Sequence, residues 1–131
     1  MKIELILPGW NEAGLRNVKA FRLAPLSLAT VAALISDDDE VSITDENVSP
    51  INFHKPIDLV GISTMTALAP RAYEIATEFR KRGVTVVLGG IHPSLLPEEA
   101  IQYADAVIIG EAENTFPELL DDFKKGKLKK Y

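Results

Sequence analysis

The chain has no cysteine in its 131 residues. Disulfides, thiolate metal sites, iron–sulfur clusters and cysteine nucleophiles are therefore excluded within it. No apolar run approaches the ~20 residues that span a bilayer. The N-terminal MKIELILPGW carries too short an apolar region before Pro8 to read as a signal peptide. A basic excess is missing too: the formal net charge is −5, which gives no reason to expect nucleic acid as a partner. Lysines do gather at the end (Lys124, Lys125, Lys127, Lys129 and Lys130), but cationic side chains suit the last turn of a helix and a solvated tail. A soluble cytoplasmic protein, with neither membrane nor nucleic acid as partner, is the expectation.

What is present is a core. Hydrophobic residues make up 47% of the chain, enough for one domain of this length. Strand and helix patterns alternate along it. Ile3–Leu7 is a short apolar-rich run broken by Pro8-Gly9 and reads as a strand. Leu28, Val31, Ala32 and Ile35 recur at helical spacing behind Pro25 and Ser27, and Asp37-Asp38-Asp39 is expected to break that helix. Val41–Thr44 alternates apolar and polar, as a strand with one exposed face does. Leu59–Ser63 reads as the third strand, and Ala72, Ile75, Ala76 and Phe79 as the buried stripe of a helix that Gly83 stops. Val84–Leu88 is the fourth strand, Pro97–Tyr103 a short helix and Ala106–Ile109 the fifth strand. Thr115-Phe116-Pro117-Glu118 fits a capping box that opens the last helix with Thr115 as its cap.

Strands separated by helices imply an α/β fold, a doubly wound five-stranded parallel sheet with right-handed crossovers. The Rossmann-like, flavodoxin-like order 2-1-3-4-5 suits it, with the alternating second strand at an edge. Two connections are long: Pro8–Ala24, on the ligand-binding side of the sheet, where a loop of that length is generally functional or disordered, and Glu46–Pro56, which contains no convincing helix. Gly126–Tyr131 has no evident core role and reads as the start of a linker after a domain spanning residues 1–125.

In this topology a ligand binds at the carboxyl ends of the strands. Two apolar runs there, Val86–Leu88 and Ala106–Ile109, end in glycine and polar residues: Gly89, Gly90 and His92 after the first, Gly110, Glu111 and Glu113 after the second. Gly89-Gly90 lets a bulky group approach the backbone, or serves a tight turn that needs positive φ. Ser63 and Thr64 can hydrogen-bond a ligand's phosphate, ribose or amide groups, and Thr66 reads as the cap of the following helix. Glu111 and Glu113 can accept from ligand hydroxyls or amides, and also suit a helix N-terminus. His92 lacks a second histidine or cysteine in ligand spacing, so it reads as structural rather than metal-binding. His54, in a polar loop, is assigned no role. Several other readings of such a sheet fail. The first strand is followed by Pro8-Gly9-Trp10 rather than the acidic residues of a phosphate-accepting receiver, a Ser/Thr-rich phosphate loop or a GxGxxG, and no GxxxxGK[ST] occurs.

Taken together, PLSLATVAALI (Pro25–Ile35), TDENV (Thr44–Val48), DLVGISTMT (Asp58–Thr66), VVLGGIHPSLLPEEA (Val86–Ala100) and DAVIIGEAENTFPELL (Asp105–Leu120) resemble a known domain. It is the N-terminal cobalamin-binding domain of cobalamin-dependent radical S-adenosylmethionine enzymes. The resemblance implies a corrin ring over the carboxyl ends of the strands. Its nucleotide tail would be tucked between Ser63, Thr64 and Met65 on one side and Gly89-Gly90 on the other. Asn47, His92, Gly110, Glu111, Glu113 and Thr115 would complete the cofactor-binding set.

There are departures from the wider cobalamin-binding pattern. The loop after the first strand, PGWNEAGL, lacks the Asp-x-His-x-x-Gly motif whose histidine ligates cobalt, so the resemblance implies a base-off cofactor without a protein histidine ligand. Ala112 stands where the family often has glycine. The CxxxCxxC motif cannot exist in a chain without cysteine, so the iron–sulfur cluster and S-adenosylmethionine would belong to a C-terminal radical domain in cis. The chain alone would not be catalytic. The rival reading is a non-cofactor interaction domain that docks a partner through Pro8–Ala24, or a small-molecule sensor that keeps the same fold.

Overall fold

Five parallel strands, β1 (Lys2–Leu7), β2 (Glu40–Asp45), β3 (Leu59–Ser63), β4 (Thr85–Gly89) and β5 (Ala106–Val107), lie in the order β2-β1-β3-β4-β5. This is the expected doubly wound topology, with the alternating strand at an edge. The structure is a computed structural model that describes residues 1–9 and 26–131. Most of the long Pro8–Ala24 connection thus lies outside the described residues. The helices are α1 (Leu26–Ala33), α2 (Ala69–Lys81), α3 (Ile91–Leu95), α4 (Pro97–Ala100) and α5 (Ala112–Lys124), with a 3-10 turn at Thr66–Leu68 leading into α2.

The period of two along each strand divides the core between the faces of the sheet. On one face Ile6, Val60, Ile62, Val86, Leu88 and Val107 meet the α2 stripe Ala72, Ile75, Ala76 and Phe79. On the other, Ile3, Leu5, Leu59, Val87 and Ile108 meet Leu28 of α1 and Phe116, Leu119 and Leu120 of α5. β1 and β3 are held in register with Leu5 opposite Gly61. One charge interrupts β1: Glu4 is buried, and its carboxylate accepts from the Ser42 and Thr44 hydroxyls and from the Lys55 amine. Burial alone would push this carboxyl up, but the bonds from Lys55, Ser42 and Thr44 outweigh it and hold the carboxyl below its ordinary value.

Several boundaries differ from the sequence reading. β4 runs one residue further, to Gly89, and β5 is only Ala106–Val107, although the Ile108 amide still donates to the Leu88 carbonyl at 2.9 Å. α1 stops at Ala33, ahead of the aspartates; Ile35 is buried from the turn that follows. The expected Pro97–Tyr103 helix ends at Ala100, and α3 precedes it. Thr115 does not cap the last helix. α5 begins three residues earlier, after Glu111 in extended conformation, and carries Pro117 inside it. Proline there removes one backbone donor, and Pro117 is exposed. Thr66 caps nothing either: it opens the 3-10 turn, and Met65 and Leu68, which precede the turn and α2, make no side-chain cap.

The C-terminal segment is built into the fold. Leu128 packs against the α1–α5 core, the Lys127 amide donates to the Asp122 carbonyl at 2.8 Å, and the Val107 amide donates to the Lys130 carbonyl at 2.8 Å. No helix among the described residues is long and apolar enough to cross a membrane.

Candidate functional site

On the α1–α5 face, a crevice of about 290 Å³ opens at the carboxyl ends of the strands. Its walls are Leu5, Val87 and Ile108 from the sheet side, Leu28 and Val31 from α1, and Phe116 from α5. Gly61, in the middle of β3, lies beneath it. Gly61 stands opposite Leu5, and a Cβ added there would lie 2.9 Å from Leu5 Cδ2. The crevice therefore exists because a central strand position has no side chain on that face.

The mouth carries most of the residues expected from sequence. Ser63, Gly89, Gly90, Gly110, Glu111 and Glu113 all line the crevice. The two adjacent glycines play different parts. Gly89 ends β4 with a Cβ position 3.8 Å from Ile108 Cβ, an ordinary contact, whereas Gly90 has φ +99° and ψ −169°. That region is open essentially to glycine alone. Gly110 also has positive φ, 79°, and turns the chain from β5 toward α5. Ser94 ties the two turns together: its hydroxyl donates to the Gly90 carbonyl at 2.8 Å and accepts from the Gly110 amide at 2.9 Å.

Five expected residues do not line the crevice. Thr64 is buried beside it, its amide donating to the Gly89 carbonyl at 3.0 Å and its hydroxyl to the Met65 carbonyl at 3.0 Å. Met65 is half-buried at the start of the 3-10 turn. Asn47 sits just past β2, its amide and side-chain nitrogen donating to Asp45 Oδ1 at 2.9 and 3.0 Å. Thr115 lies by Val107, Leu119 and Leu128, against the C-terminal segment.

His92 is 4% exposed and belongs to a separate cluster. Its Nε2 is 3.0 Å from both the Tyr73 hydroxyl and Glu99 Oε1, and its Nδ1 is 3.3 Å from Thr66 Oγ1. Tyr73 donates to Glu99 at 2.7 Å, and its ring stacks on Tyr103 with centroids 4.1 Å apart. Burial, together with the Glu99 carboxylate, pushes the Tyr73 phenol well up. Bonds from Tyr73 and His92 hold Glu99 below its ordinary value. The other histidine, His54, is exposed, with Nδ1 3.1 Å from an Arg82 nitrogen past the end of α2. Neither histidine of the chain lines the crevice. Among the described residues no group of three or more His, Asp or Glu is placed to hold a metal ion.

Gly61 and the apolar walls were not among the residues expected from sequence. A glycine inside the buried run LVGIS is a signal for close approach at a strand, and it identifies the floor. The walls carry no such signal, since Leu, Val, Ile and Phe lining a crevice read as ordinary core.

The crevice opens at the carboxyl ends of the strands, where doubly wound sheets bind their ligands. A family profile described as the B12 binding domain matches residues 14–120. The chain belongs to the B12-binding domain family. It is 46% identical over 105 residues to the bacteriochlorophyllide d C-8(2)-methyltransferase of Chlorobaculum tepidum, covering 79% of this chain and 23% of that protein. It is 37% identical over 108 residues to the C-12(1)-methyltransferase of the same organism, covering 80% and 24%. An uncharacterized methyltransferase of Pyrococcus horikoshii is 34% identical over 140 residues, covering 97% and 30%. The chain thus spans under a third of the length of each of these relatives. Among solved structures, the N-terminal domain of a hypothetical protein of Thermotoga maritima shares the fold, with TM-score 0.55 and 24% identity over 86% of this chain and 92% of that one.

Proposed function

We propose that this chain holds cobalamin for a larger methyl-transferring enzyme of the radical S-adenosylmethionine type. The corrin would lie over the carboxyl ends of the strands. The observation that carries this is the crevice itself, in a chain of the B12-binding family. Its volume of about 290 Å³ is too small for a macrocycle but admits a slender tail, and it opens where the backbone is stripped of side chains at Gly89 and Gly90. Ser63, Glu111 and Glu113 stand at the mouth, where they can accept hydrogen bonds from the amide fringe of a corrin. Gly110 leaves room beside them. Asn47 and Met65 follow β2 and β3 at the same end of the sheet, where a ring wider than the crevice would reach toward them.

Bound there, the cofactor would supply the methyl-carrying chemistry that the names of the relatives imply. The chain's own residues bind and orient it. Both histidines lie off the crevice, which supports a base-off cofactor without a protein histidine ligand. The iron–sulfur cluster and S-adenosylmethionine would then be held by a partner domain in cis. The matched region is 23%, 24% and 30% of the length of these relatives, which supports that division of labour. Residues 126–131 would lead toward that domain after crossing the edge of β5.

The test is to titrate the protein with hydroxocobalamin and follow the visible spectrum. Saturable binding with a base-off spectrum is expected, with modest affinity because the chain covers only one face of the cofactor. A folded protein that leaves the spectrum unchanged at high cobalamin concentration overturns the reading.

A further inference from the structure

The β4–β5 ladder ends just short of the crevice mouth. Val87 stands opposite Ala106 and Leu88 opposite Val107, and the Ile108 amide donates to the Leu88 carbonyl at 2.9 Å. Beyond that bond the two chains part, Gly90 turning toward α3 and Gly110 toward α5. Both turns line the crevice, with Gly89 and Gly90 on one lip and Gly110, Glu111 and Glu113 on the other. Ser94 spans them from outside the lining, half-buried on α3. Its hydroxyl gives its one proton to the Gly90 carbonyl and accepts from the Gly110 amide. The first of these bonds is commonplace. A helical hydroxyl often donates to the carbonyl four residues back, as Thr77 does to Tyr73 at 2.7 Å on α2. The second reaches a turn sixteen residues away and ties it to the first.

Resting on the cobalamin reading above, we propose that Ser94 is a positioning residue for the corrinoid: it sets the separation of the two lips without touching the ligand. Its own footing is firm. The His92 amide, two residues earlier on α3, donates to the Thr64 carbonyl at 3.2 Å, and the His92 ring is held between Tyr73 and Glu99. α3 is thereby fixed to the tip of β3 and to α2, so Ser94 carries that rigidity across to the Gly110 turn. Lips held in place beforehand spare the ligand the cost of ordering them. Without the hydroxyl, the Gly110–Glu113 lip moves independently of Gly89 and Gly90. Apparent affinity then falls by the fraction of molecules whose lips no longer face one ligand.

Titration with hydroxocobalamin, followed in the visible spectrum, tests this alongside amide exchange of the ligand-free protein. Ser94→Ala should bind about fivefold more weakly than wild type, the factor that one ordinary hydrogen bond is worth. Ser94→Thr keeps the hydroxyl and should restore wild-type affinity. Thr77→Ala loses the same kind of helical bond away from the crevice and should bind as wild type does. The Gly110 amide should be protected from exchange in wild type, released in Ser94→Ala and protected again in Ser94→Thr. Should Ser94→Ala fail to fold, Ser94→Cys takes its place with the same expectation, because a thiol is a poor acceptor. A folded Ser94→Ala protein that binds as tightly as wild type overturns the proposal. So does Ser94→Thr binding as weakly as Ser94→Ala, an equal loss in Thr77→Ala, or a Gly110 amide unprotected in wild type. Wild-type protein that binds no cobalamin overturns the cobalamin reading itself, and Gly110 exchange then still reports whether Ser94 joins the two turns.

Discussion

Gly90 passes so close to Thr64 that a Cβ on Gly90 would lie 2.7 Å from the Thr64 carbonyl oxygen and 2.9 Å from its amide nitrogen. Both are backbone atoms, and the Thr64 backbone is itself fixed, its amide donating to Gly89 and its carbonyl accepting from the His92 amide at 3.2 Å. The β3 and β4 tips that flank the crevice are thus locked together by contact that only glycine permits.

Gly90→Ala should therefore destabilise the protein by about 1–3 kcal/mol from backbone conformation alone, more once the contact with Thr64 is counted. Gly89→Ala should be within about 1 kcal/mol of wild type, because Gly89 has ordinary strand conformation and room for a methyl group. Urea unfolding of the two variants side by side measures this. Equal stabilities would mean that the Gly90–Thr64 approach is not what holds the two tips.

The His92 cluster lies on the far side of that turn from the crevice, so its effect should be on the fold. His92→Gln should leave the visible spectrum of bound cobalamin unchanged, since no cobalt–imidazole bond is lost. Tyr73→Phe, which removes the hydroxyl that bonds both His92 and Glu99, should cost about 1 kcal/mol of stability. A cobalamin spectrum altered by His92→Gln would place the imidazole on the metal and reverse this assignment.

Glu4 gives the protein an acid-sensitive joint between β1 and β2. Its carboxyl titrates lower in the folded protein than in the unfolded chain, where glutamate has a value of about 4.3. The stabilisation is therefore fully present above the unfolded value and is lost as pH falls through the lower folded one. Glu4→Gln should lower stability at pH 7 by about 1–3 kcal/mol and flatten the decline below pH 4.5. Some slope should remain, because Asp39, through Lys124, and Glu99, through Tyr73, also titrate below their ordinary values. A variant with the full wild-type acid dependence would remove Glu4 from this role.

Much of this was legible in the residues. The α2 stripe Ala72, Ile75, Ala76 and Phe79 is buried as its spacing requires, and β2 takes the edge that its alternation predicts. Glycine at strand ends placed the mouth of the crevice. The misread parts have physical causes. Thr115 matched a capping box by spacing, but Gly110 turns the chain earlier and Ala112-Glu113 already continue as helix. His92 follows a glycine pair that faces the crevice, yet its ring turns toward α2 and α4, a direction no one-dimensional pattern carries. The apolar walls were invisible for the same reason: a leucine lining a crevice and one sealed in a core read alike.

Residues 126–131 read as a tail without a core role, and their packing argues for a measurable one. The Lys130 carbonyl takes the outward-facing amide of Val107, which would otherwise be an open donor on the edge of β5. Leu128 adds apolar contact with the α1–α5 core, and Lys129 lies 3.5 Å from Asp122. Deleting residues 127–131 should cost about 1–3 kcal/mol, combining the lost burial of Leu128 with one backbone hydrogen bond. Leu128→Ala should account for the larger share. Lys129→Ala should change stability by less than about 0.5 kcal/mol, as an exposed pair does. Amide exchange at Val107 gives a second readout: it should accelerate in the deletion and stay slow in Lys129→Ala. A deletion as stable as the full chain, with Val107 still protected, would mean that the segment merely lies along β5 without holding it.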